Sequence, residues 1–327
     1  SAPRTLRIGV ALYQQDDTFI SSVARELQRA AQEVEQSGDV KINLYITDGK
    51  GSQTVQNEQI DRFLDRKYDV ICVNIVDRTA AAVIIDKAET AHIPVIFFNR
   101  QPVEEDLRRW EHAYYVGLPA GDAGMMQGQL VLDAWRADQN SIDKNGDGVL
   151  QYVLLKGTPG HSDAEDRANG FYTAIEASGI PVEELAQQNA DWNTTKAKDT
   201  MDTWIGKYGD QIEMVVSGND AMALGAVEAL RANGLITDEK MVPVIGVNGL
   251  PEVSNLIESG VMLGSVLTSP YGISQAVIDL CINAIDGKPV TEDTPWELEN
   301  GKIVRIPETK ITIENVNEAV DAYKLAQ

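Results

Sequence analysis

Short apolar runs of strand-forming residues alternate with helix-period patterns almost from end to end, and no other feature restricts the fold as much. LRIGVALY (6–13) has the continuous apolar character of a strand buried on both faces. Behind it, Ile20, Val23, Leu27, Ala30, Ala31 and Val34 recur at intervals of three and four, lining one helix face. The cycle repeats through INLYITD (42–48), a helix carrying Val55, Ile60, Phe63 and Leu64, DVICVNI (69–75), an alanine-rich helix near 79–91, and IPVIFFN (93–99). Strands separated by single helices imply right-handed crossovers and a parallel sheet covered on both faces.

AYYVG (113–117) interrupts this rhythm and a second cycle follows. A helix near 121–136 leads into GVLQYVLLKG (148–157) and a helix from 164 to 178; EMVVSG (213–218), a helix through Ala221–Ala232 and VPVIGVNG (242–249) come next. MLGSVLTS (262–269), a helix at 271–286 and IVRIP (303–307) complete it. Two α/β cycles of similar size in 327 residues predict two doubly wound parallel-sheet lobes, in keeping with ~150 residues per domain.

Charge narrows the partners. Fifty Asp and Glu against 28 Lys and Arg give a net charge of −22, which repels phosphate backbones and anionic headgroups and argues against nucleic acid. No apolar run approaches the ~18 residues of a membrane span. Cys72 in DVICVNI and Cys281 in VIDLCINAI read as small buried hydrophobes rather than a disulfide framework or zinc site. No signal segment precedes the first strand, so a processed exported chain and a cytosolic one look alike here.

In doubly wound sheets ligands bind beyond the carboxyl ends of the strands. Tyr13, Asp17 and Phe19 follow LRIGVALY, Asn99 follows VIFF, and His161, Asp163 and Arg167 follow VLLKG. Asn219 and Asp220 follow EMVVSG, Asn248 follows VPVIGV, Thr268 ends MLGSVL, and Trp192 lies in a polar connection, ADWNT. Carboxylates, amides and one guanidinium suit hydroxyls that both donate and accept, and flat rings suit the C–H faces of a pyranose. The same residue types are also common helix caps, and Asp163, Asp220 and Thr194 could serve only as caps. His161 alone reads as a solvated loop histidine and Trp192 alone as core; shared placement lifts the set above that.

DKNGDGVLQ (143–151) places Asp143, Asn145 and Asp147 at alternate positions, Gly148 sixth and Gln151 ninth, with the Val149 carbonyl available at the seventh. This matches the calcium loop D-x-[DN]-x-[DN]-G. The twelfth position, where an EF-hand needs a bidentate Glu, is Leu154. The segment is therefore either an Asp/Gly turn or a calcium loop closed by a distant carboxylate.

The segments GVALYQQDDTF, VIFFN, AYYVG, DKNGDGVLQ, LLKGTPGHSDAEDR, GNDAMALGAVEAL, VIGVNGLPE and GSVLT together resemble the periplasmic galactose/glucose-binding proteins, the sugar receptors of ABC importers, over essentially the full length. The resemblance implies a periplasmic binding protein type I fold with a monosaccharide in the interlobe cleft. It implies that Asp17 accepts from the sugar 4-hydroxyl and that Phe19 and Trp192 sandwich the ring. Asn99, His161 and Asn219 would bond hydroxyls, Asp163 and Arg167 would hold the anomeric end, and Tyr13 would line the cleft mouth. It implies structural calcium held by Asp143, Asn145, Asp147, Gln151 and the Val149 carbonyl, with Glu213 as the distant carboxylate.

Two positions depart from the family pattern: Asn248 stands where the family has Asp, and Thr268 where it has Asn. Both bear on which sugar is preferred. The resemblance also implies a three-stranded hinge suited to lobe closure. Its crossovers near Gly117–Leu118, Thr268–Ser269 and Arg305–Ile306 give an N-terminal lobe of 1–117 plus 269–305 and a C-terminal lobe of 118–268 plus 306–327. It further implies a monomer, periplasmic or held at the cell surface as a lipoprotein, with an ABC permease and a chemoreceptor as partners. The alternatives are a sugar-modifying enzyme using His161 and Asp163, and a sugar-responsive repressor core. The chain lacks G-x-S-x-G, P-loop and G-x-G-x-x-G signatures, and its charge is wrong for DNA.

Overall fold

Strands that are apolar on both sides have to be covered on both sides, and the helices supply that cover. In the computed structural model, which describes residues 2–119 and 121–324, the chain begins with β1 (Arg4–Leu12), α1 (Thr18–Gln36), β2 (Val40–Asp48), α2 (Gln53–Asp65), β3 (Val70–Val73), α3 (Ala81–Ala91), β4 (Val95–Phe98), α4 (Glu104–Leu107) and β5 (Ala113–Gly117). It continues with α5 (Asp122–Ala137), α6 (Gln139–Ile142), β6 (Leu150–Lys156), α7 (Ser162–Ser178), β7 (Val182–Asn189), α8 (Thr194–Tyr208), β8 (Met214–Ser217), α9 (Asp220–Ala232), β9 (Val244–Ile245), α10 (Pro251–Glu258) and β10 (Ser265–Thr268). The last elements are α11 (Pro270–Ile285), β11 (Ile303–Arg305), β12 (Glu308–Ile311) and α12 (Val316–Lys324).

These elements divide into two units. The first gathers residues up to Leu118 with Ser269–Pro307; the second gathers Pro119–Thr268 with Glu308–Lys324. Ile306 and Pro307 stay with the first unit because the Ile306 N–H bonds the Gly117 carbonyl at 2.8 Å. Leu118 stays with it as well, its carbonyl accepting from the Arg305 guanidinium at 3.0 Å. The passages between units therefore lie slightly beyond the expected points at 117–118 and 305–306.

The first unit has a parallel six-stranded sheet in the order β2-β1-β3-β4-β5-β11. Helices α1 and α11 cover one face over Val10, Val23, Leu27, Cys72, Ile96 and Val277. Helices α2 and α3 cover the other over Ile60, Phe63, Ile71, Val73 and Ile85. The second unit has parallel β7-β6-β8-β9 and an antiparallel β10–β12 pair, joined by parallel bridges at Ile245–Gly264 and Asn248–Leu267. Helices α5 and α7 pack on one face; α8 and α9 pack together with α10 and α12 on the other.

VPVIGVNG pairs as a strand only at Val244–Ile245. From Gly246 the backbone is pulled toward Asp220, whose Oδ1 would lie 2.0 Å from any Cβ added at Gly246. β7 (VEELAQQN) falls in what the sequence presents as a polar connection. It is an edge strand with largely half-exposed polar side chains, so it carries no apolar signature.

Helix α7, which carries Asp163 and Arg167 and is preceded by His161, lies unusually close to α5. A Cβ at Gly124 would sit 1.8 Å from the Arg167 carbonyl oxygen, and one at Gly170 would sit 2.1 Å from the Gly121 carbonyl oxygen. Backbone cannot yield as a side-chain tip can. Gly124→Ala is expected to cost about 1–3 kcal/mol of stability and to displace α7. Gly206→Ala, on α8 with open space around it, should be neutral or slightly stabilising. Thermal unfolding of the two variants against wild type checks the pair; equal midpoints would remove the close-packing argument.

Candidate functional site

Each sheet reverses its winding once, between β1 and β3 in the first unit and between β6 and β8 in the second. Loops leave adjacent carboxyl ends in opposite directions there, which opens a crevice edged by backbone. Tyr13, Asp17, His161 and Asn219 lie on these loops, and Phe19, Asp163 and Arg167 in the helices they lead into; Asn99, Trp192, Asn248 and Thr268 stand at other strand ends.

In the first unit Asp17 is the N-cap of α1, its Oδ1 accepting from the Ile20 N–H at 3.0 Å, and its Oδ2 accepts from the Tyr13 hydroxyl. Tyr13 is buried, and the Arg100 guanidinium stacks 3.5 Å from its ring centroid. Burial, then the adjacent Asp17 carboxylate, push the Tyr13 phenol far above its ordinary range. Phe19 is buried in the first turn of α1. Asn99 ends β4 in the left-handed region (φ 62°), and its side-chain amide has no partner among the described residues. Two residues outside the sequence expectation brace these loops. Asn74, after β3, accepts from the Tyr13 N–H at 3.0 Å and donates to the Phe98 carbonyl at 3.3 Å. Gln56 donates to the Ala11 and Asn74 carbonyls. Asn74 obeys the same strand-end rule that selects Asn99.

In the second unit His161, Asp163, Arg167, Trp192 and Asn219 come together. His161 occupies the N-cap position of α7 without a side-chain cap bond; Asp163 is in the first turn and Arg167 one turn later on the same face. The His161 ring meets the Trp192 indole edge-on at 6.3 Å, and the Arg167 guanidinium lies 5.4 Å from it. Arg167 also donates to the Gly218 carbonyl at 2.5 Å. Trp192 follows Asp191 in the left-handed region (φ 61°), a rare conformation for so bulky a residue. Its ring lies flat against Gly157, where a Cβ would come within 2.0 Å, and its buried Nε1–H has no acceptor among the described residues. Asn219 caps α9 by accepting from the Met222 N–H at 2.9 Å and reaches the Trp192 carbonyl at 3.4 Å.

Capping falls elsewhere than the sequence suggested. Asn193, not Thr194, caps α8, and Asp220 caps nothing. Asp220 is fully buried, accepting from the Leu250 N–H and the Ser265 hydroxyl, both at 2.8 Å. Burial pushes its carboxyl up to about 6.

Asn248 (φ 128°) and Thr268, the two departures from the family pattern, bond each other: the Asn248 amide donates to the Thr268 hydroxyl at 3.2 Å. Both are buried. Opposite Thr268 in the β10–β12 register stands Glu308, a residue the sequence reading missed because it follows a very short strand. Its two carboxylate oxygens are buried without a hydrogen-bond partner among the described residues. Burial pushes its carboxyl up to about 7, opposed by Arg167 and reinforced by Asp122 and Asp163.

The DKNGDGVLQ loop is folded around its own acids. Asp143 Oδ2 accepts from the Gly148 N–H at 2.8 Å, Asp147 Oδ2 accepts from Gln151 Nε2 at 2.7 Å, and Asn145 donates weakly to Asp147. The Val149 N–H, bonded to Asp147 Oδ1, leads the interactions that lower the Asp147 carboxyl's pKa. Glu213, buried just before β8, accepts the N–H groups of Lys144 (2.7 Å) and Gln151 (2.9 Å), and burial raises its carboxyl. Asp143 Oδ1 and Gln151 Oε1 are buried with no partner among the described residues. Among those residues, no set of three or more His, Cys, Asp or Glu side chains is gathered as a metal ion would require.

Residues 8–289 match the periplasmic binding protein domain. The chain belongs to that family. It is 39% identical over 313 residues to the D-galactose/methyl-galactoside binding periplasmic protein of Haemophilus influenzae, covering 95% of this chain and 91% of that one. It is 26% identical over 257 residues to the ribose import binding protein of Escherichia coli, covering 79% of each. Among solved structures, a galactofuranose binding protein superposes with a TM-score of 0.80 at 22% identity over 98% of this chain and 99% of its own. A solute binding protein from Bacillus halodurans with bound myo-inositol gives 0.79 at 24% identity, covering 99% of this chain and all of its own. At such identities the structures speak for the fold, which is that of the periplasmic binding proteins. The relatives named are binding proteins, and among the described residues no helix is long and apolar enough to cross a membrane.

Glu308 makes this family member sensitive to pH in a predictable direction. A carboxyl raised from 4.5 to about 7 by folding keeps its proton in the native state and releases it in the unfolded one. Stability is therefore greatest below the ordinary value and falls as pH rises through the native one. Glu308→Gln mimics the protonated form. It should match wild type at about pH 4 and exceed it by roughly 3 kcal/mol at about pH 8. Asp220, raised to about 6, acts in the same direction and remains in the variant, so the wild-type-minus-variant difference isolates Glu308. Denaturant titrations at both pH values read it; a pH-independent difference would count against the assignment.

Proposed function

We propose that this protein is the receptor of an ABC sugar importer, binding glucose, galactose or a related hexose one-to-one and passing it unchanged to a membrane permease. The observation that carries the reading is Trp192. Its indole is held in a strained left-handed turn with one face on Gly157, its N–H awaits an acceptor, and His161 and Arg167 flank it. A ring fixed so firmly with a polar tip unsatisfied suits the apolar face and hydroxyl rim of a sugar. The names of the relatives support a neutral polyhydroxylated ligand: D-galactose and methyl-galactoside in one, ribose in another.

In this reading Asp17, Asn99 and Phe19 serve from the first unit, and His161, Asp163, Arg167, Trp192 and Asn219 from the second. Asn248 contributes its amide oxygen and its second amide N–H, the first being engaged by Thr268. The receptor works as a monomer, periplasmic or tethered at the cell surface. Incubation with aldohexoses followed by NMR should show one bound equivalent and no new product; turnover of any of them would exclude a pure receptor. Trp192→Ala should raise the Kd about tenfold or more with little change in melting, since stacked aromatic surface contributes ~1 kcal/mol beyond burial. An unchanged affinity by calorimetry would place Trp192 outside the site.

We also propose that the DKNGDGVLQ loop and Glu213 take one calcium ion. The donor chemistry suits a hard cation, although the acids are not gathered around a common point: among the described residues Asp143 Oδ1 and Gln151 Oε1 are buried and unpartnered, and half a turn of the Gln151 amide presents oxygen instead of N–H toward Asp147. Asn145, Asp147 and the Val149 carbonyl supply the remaining hard oxygens. The ion would offset the repulsion of three carboxylates and fix the loop to the segment preceding β8. Melting in calcium and in EGTA should separate the midpoints of wild type by several degrees and those of Glu213→Gln by much less. Equal stabilisation of both would remove Glu213 from the ligand set, and none in either would leave an Asp/Gly turn.

A further inference from the structure

Cys72 and Cys281 lie 209 residues apart in sequence, yet their sulfurs are 3.3 Å apart. Cys72 is in β3, paired with Val10 of β1 on one side and Ile96 of β4 on the other. Cys281 is on α11, which packs across that face of the same sheet. Both side chains have no exposure and share the apolar layer that contains Val277 and Leu280. The fold thus brings together two thiols that the sequence presents as unrelated hydrophobes.

We propose that Cys72 and Cys281 are a disulfide-forming site, closed when the chain folds in an oxidising compartment. The oxidant is a disulfide, either glutathione disulfide or that of a thiol oxidoreductase. One cysteine thiolate attacks it, forms a mixed disulfide and expels one thiol; the second cysteine attacks the mixed disulfide and expels the other. Two protons and two electrons leave the protein, and the oxidant's S–S bond becomes two thiols. The sulfurs need approach by only about 1.2 Å to reach the ~2.05 Å of a covalent bond. Burial holds the Cys281 thiol well above its ordinary pKa, so thiolate is scarce in the folded protein. Closure therefore belongs to folding, or to opening of α11 from the sheet. A family whose members are periplasmic meets such oxidants as it folds. The bond would join β3 to a helix that returns only after most of the second unit has been made, enclosing a long loop whose restriction destabilises the unfolded chain.

The test refolds the full, reduced, guanidinium-unfolded chain by dilution into glutathione redox buffer or into dithiothreitol. Each product is then unfolded, alkylated with iodoacetamide and weighed. The oxidised product should be two hydrogens lighter with no alkyl group, the reduced one should carry two, and the oxidised midpoint should be higher by several degrees. Dithiothreitol at a denaturing temperature should abolish that difference. Cys281→Ala should carry one alkyl or glutathionyl group and show no redox-dependent midpoint; should it fail to fold, Cys72→Ala replaces it, and the wild-type arms stand without either. Two alkyl groups after oxidative refolding to native circular dichroism would overturn the proposal. So would an oxidised midpoint below the reduced one.

Discussion

A carboxylate with no exposure holds the strand-end loops of the second unit in place. Asp220 accepts from the Leu250 N–H and the Ser265 hydroxyl, while its own N–H bonds the Val247 carbonyl. Gln127 on α5 adds donations to the Ser217 and Gly246 carbonyls. Burying a charge costs several kcal/mol unless hydrogen bonds offset it, and here the donors are backbone and hydroxyl groups fixed by neighbouring strands. The carboxyl is nonetheless raised to about 6, so the offset is incomplete. What this network secures is position. The backbone from Gly246 to Leu250 is bound closely enough that Gly246 has no room for a side chain and Asn248 adopts φ 128°. The first unit reaches the same end with neutral groups, Asn74 and Gln56, which satisfy carbonyls of β1 and β4 and the loop after β3.

The alternation of apolar runs and helical faces was sufficient to read both parallel sheets, because buried parallel strands must be apolar throughout. Capping was legible in residue type but not in position. Asn193 and Asn219 do what Thr194 and Asp220 were expected to do, since the cap depends on where the backbone turns, one residue from where composition alone would place it. β7 escaped notice for a physical reason: an edge strand exposes half its side chains, so VEELAQQN looks like a loop. The braces Asn74 and Gln56, the Asn248–Thr268 bond and the Cys72–Cys281 contact all depend on tertiary proximity, which periodicity does not encode.

Charge near the candidate sugar residues is redistributed relative to the pattern that the resemblance implies. That pattern has a carboxylate at position 248, where this chain has an amide that gives one of its two N–H groups to Thr268. Next to Thr268 in the strand pair stands Glu308, a carboxyl the strand-end rule did not select, buried and with its charged form favoured by Arg167. The second unit thus keeps an acid near Arg167 but places it on β12 rather than on the loop after β9. An acid there differs from one at 248 in a way that matters for recognition. Asn248 is bonded to its neighbours by N–H, carbonyl and amide, so its oxygen is fixed. Among the described residues, none donates a hydrogen bond to either Glu308 oxygen.

Such a carboxyl has two ways to reduce the cost of its burial. It can keep its proton and act as a donor, or lose it and draw the Arg167 guanidinium away from the Gly218 carbonyl, to which Arg167 now donates at 2.5 Å. Near neutral pH, with its carboxyl raised to about 7, both states are accessible. A ligand hydroxyl placed beside it would meet a donor in one state and a strong acceptor in the other, and would itself shift the balance toward the state it bonds better. Arg167, whose guanidinium overlies Trp192, also draws the Glu308 carboxyl downward against the effect of its burial. Selectivity among epimers, which turns on single donors and acceptors, would then depend on the protonation of a residue outside the family's ligand set.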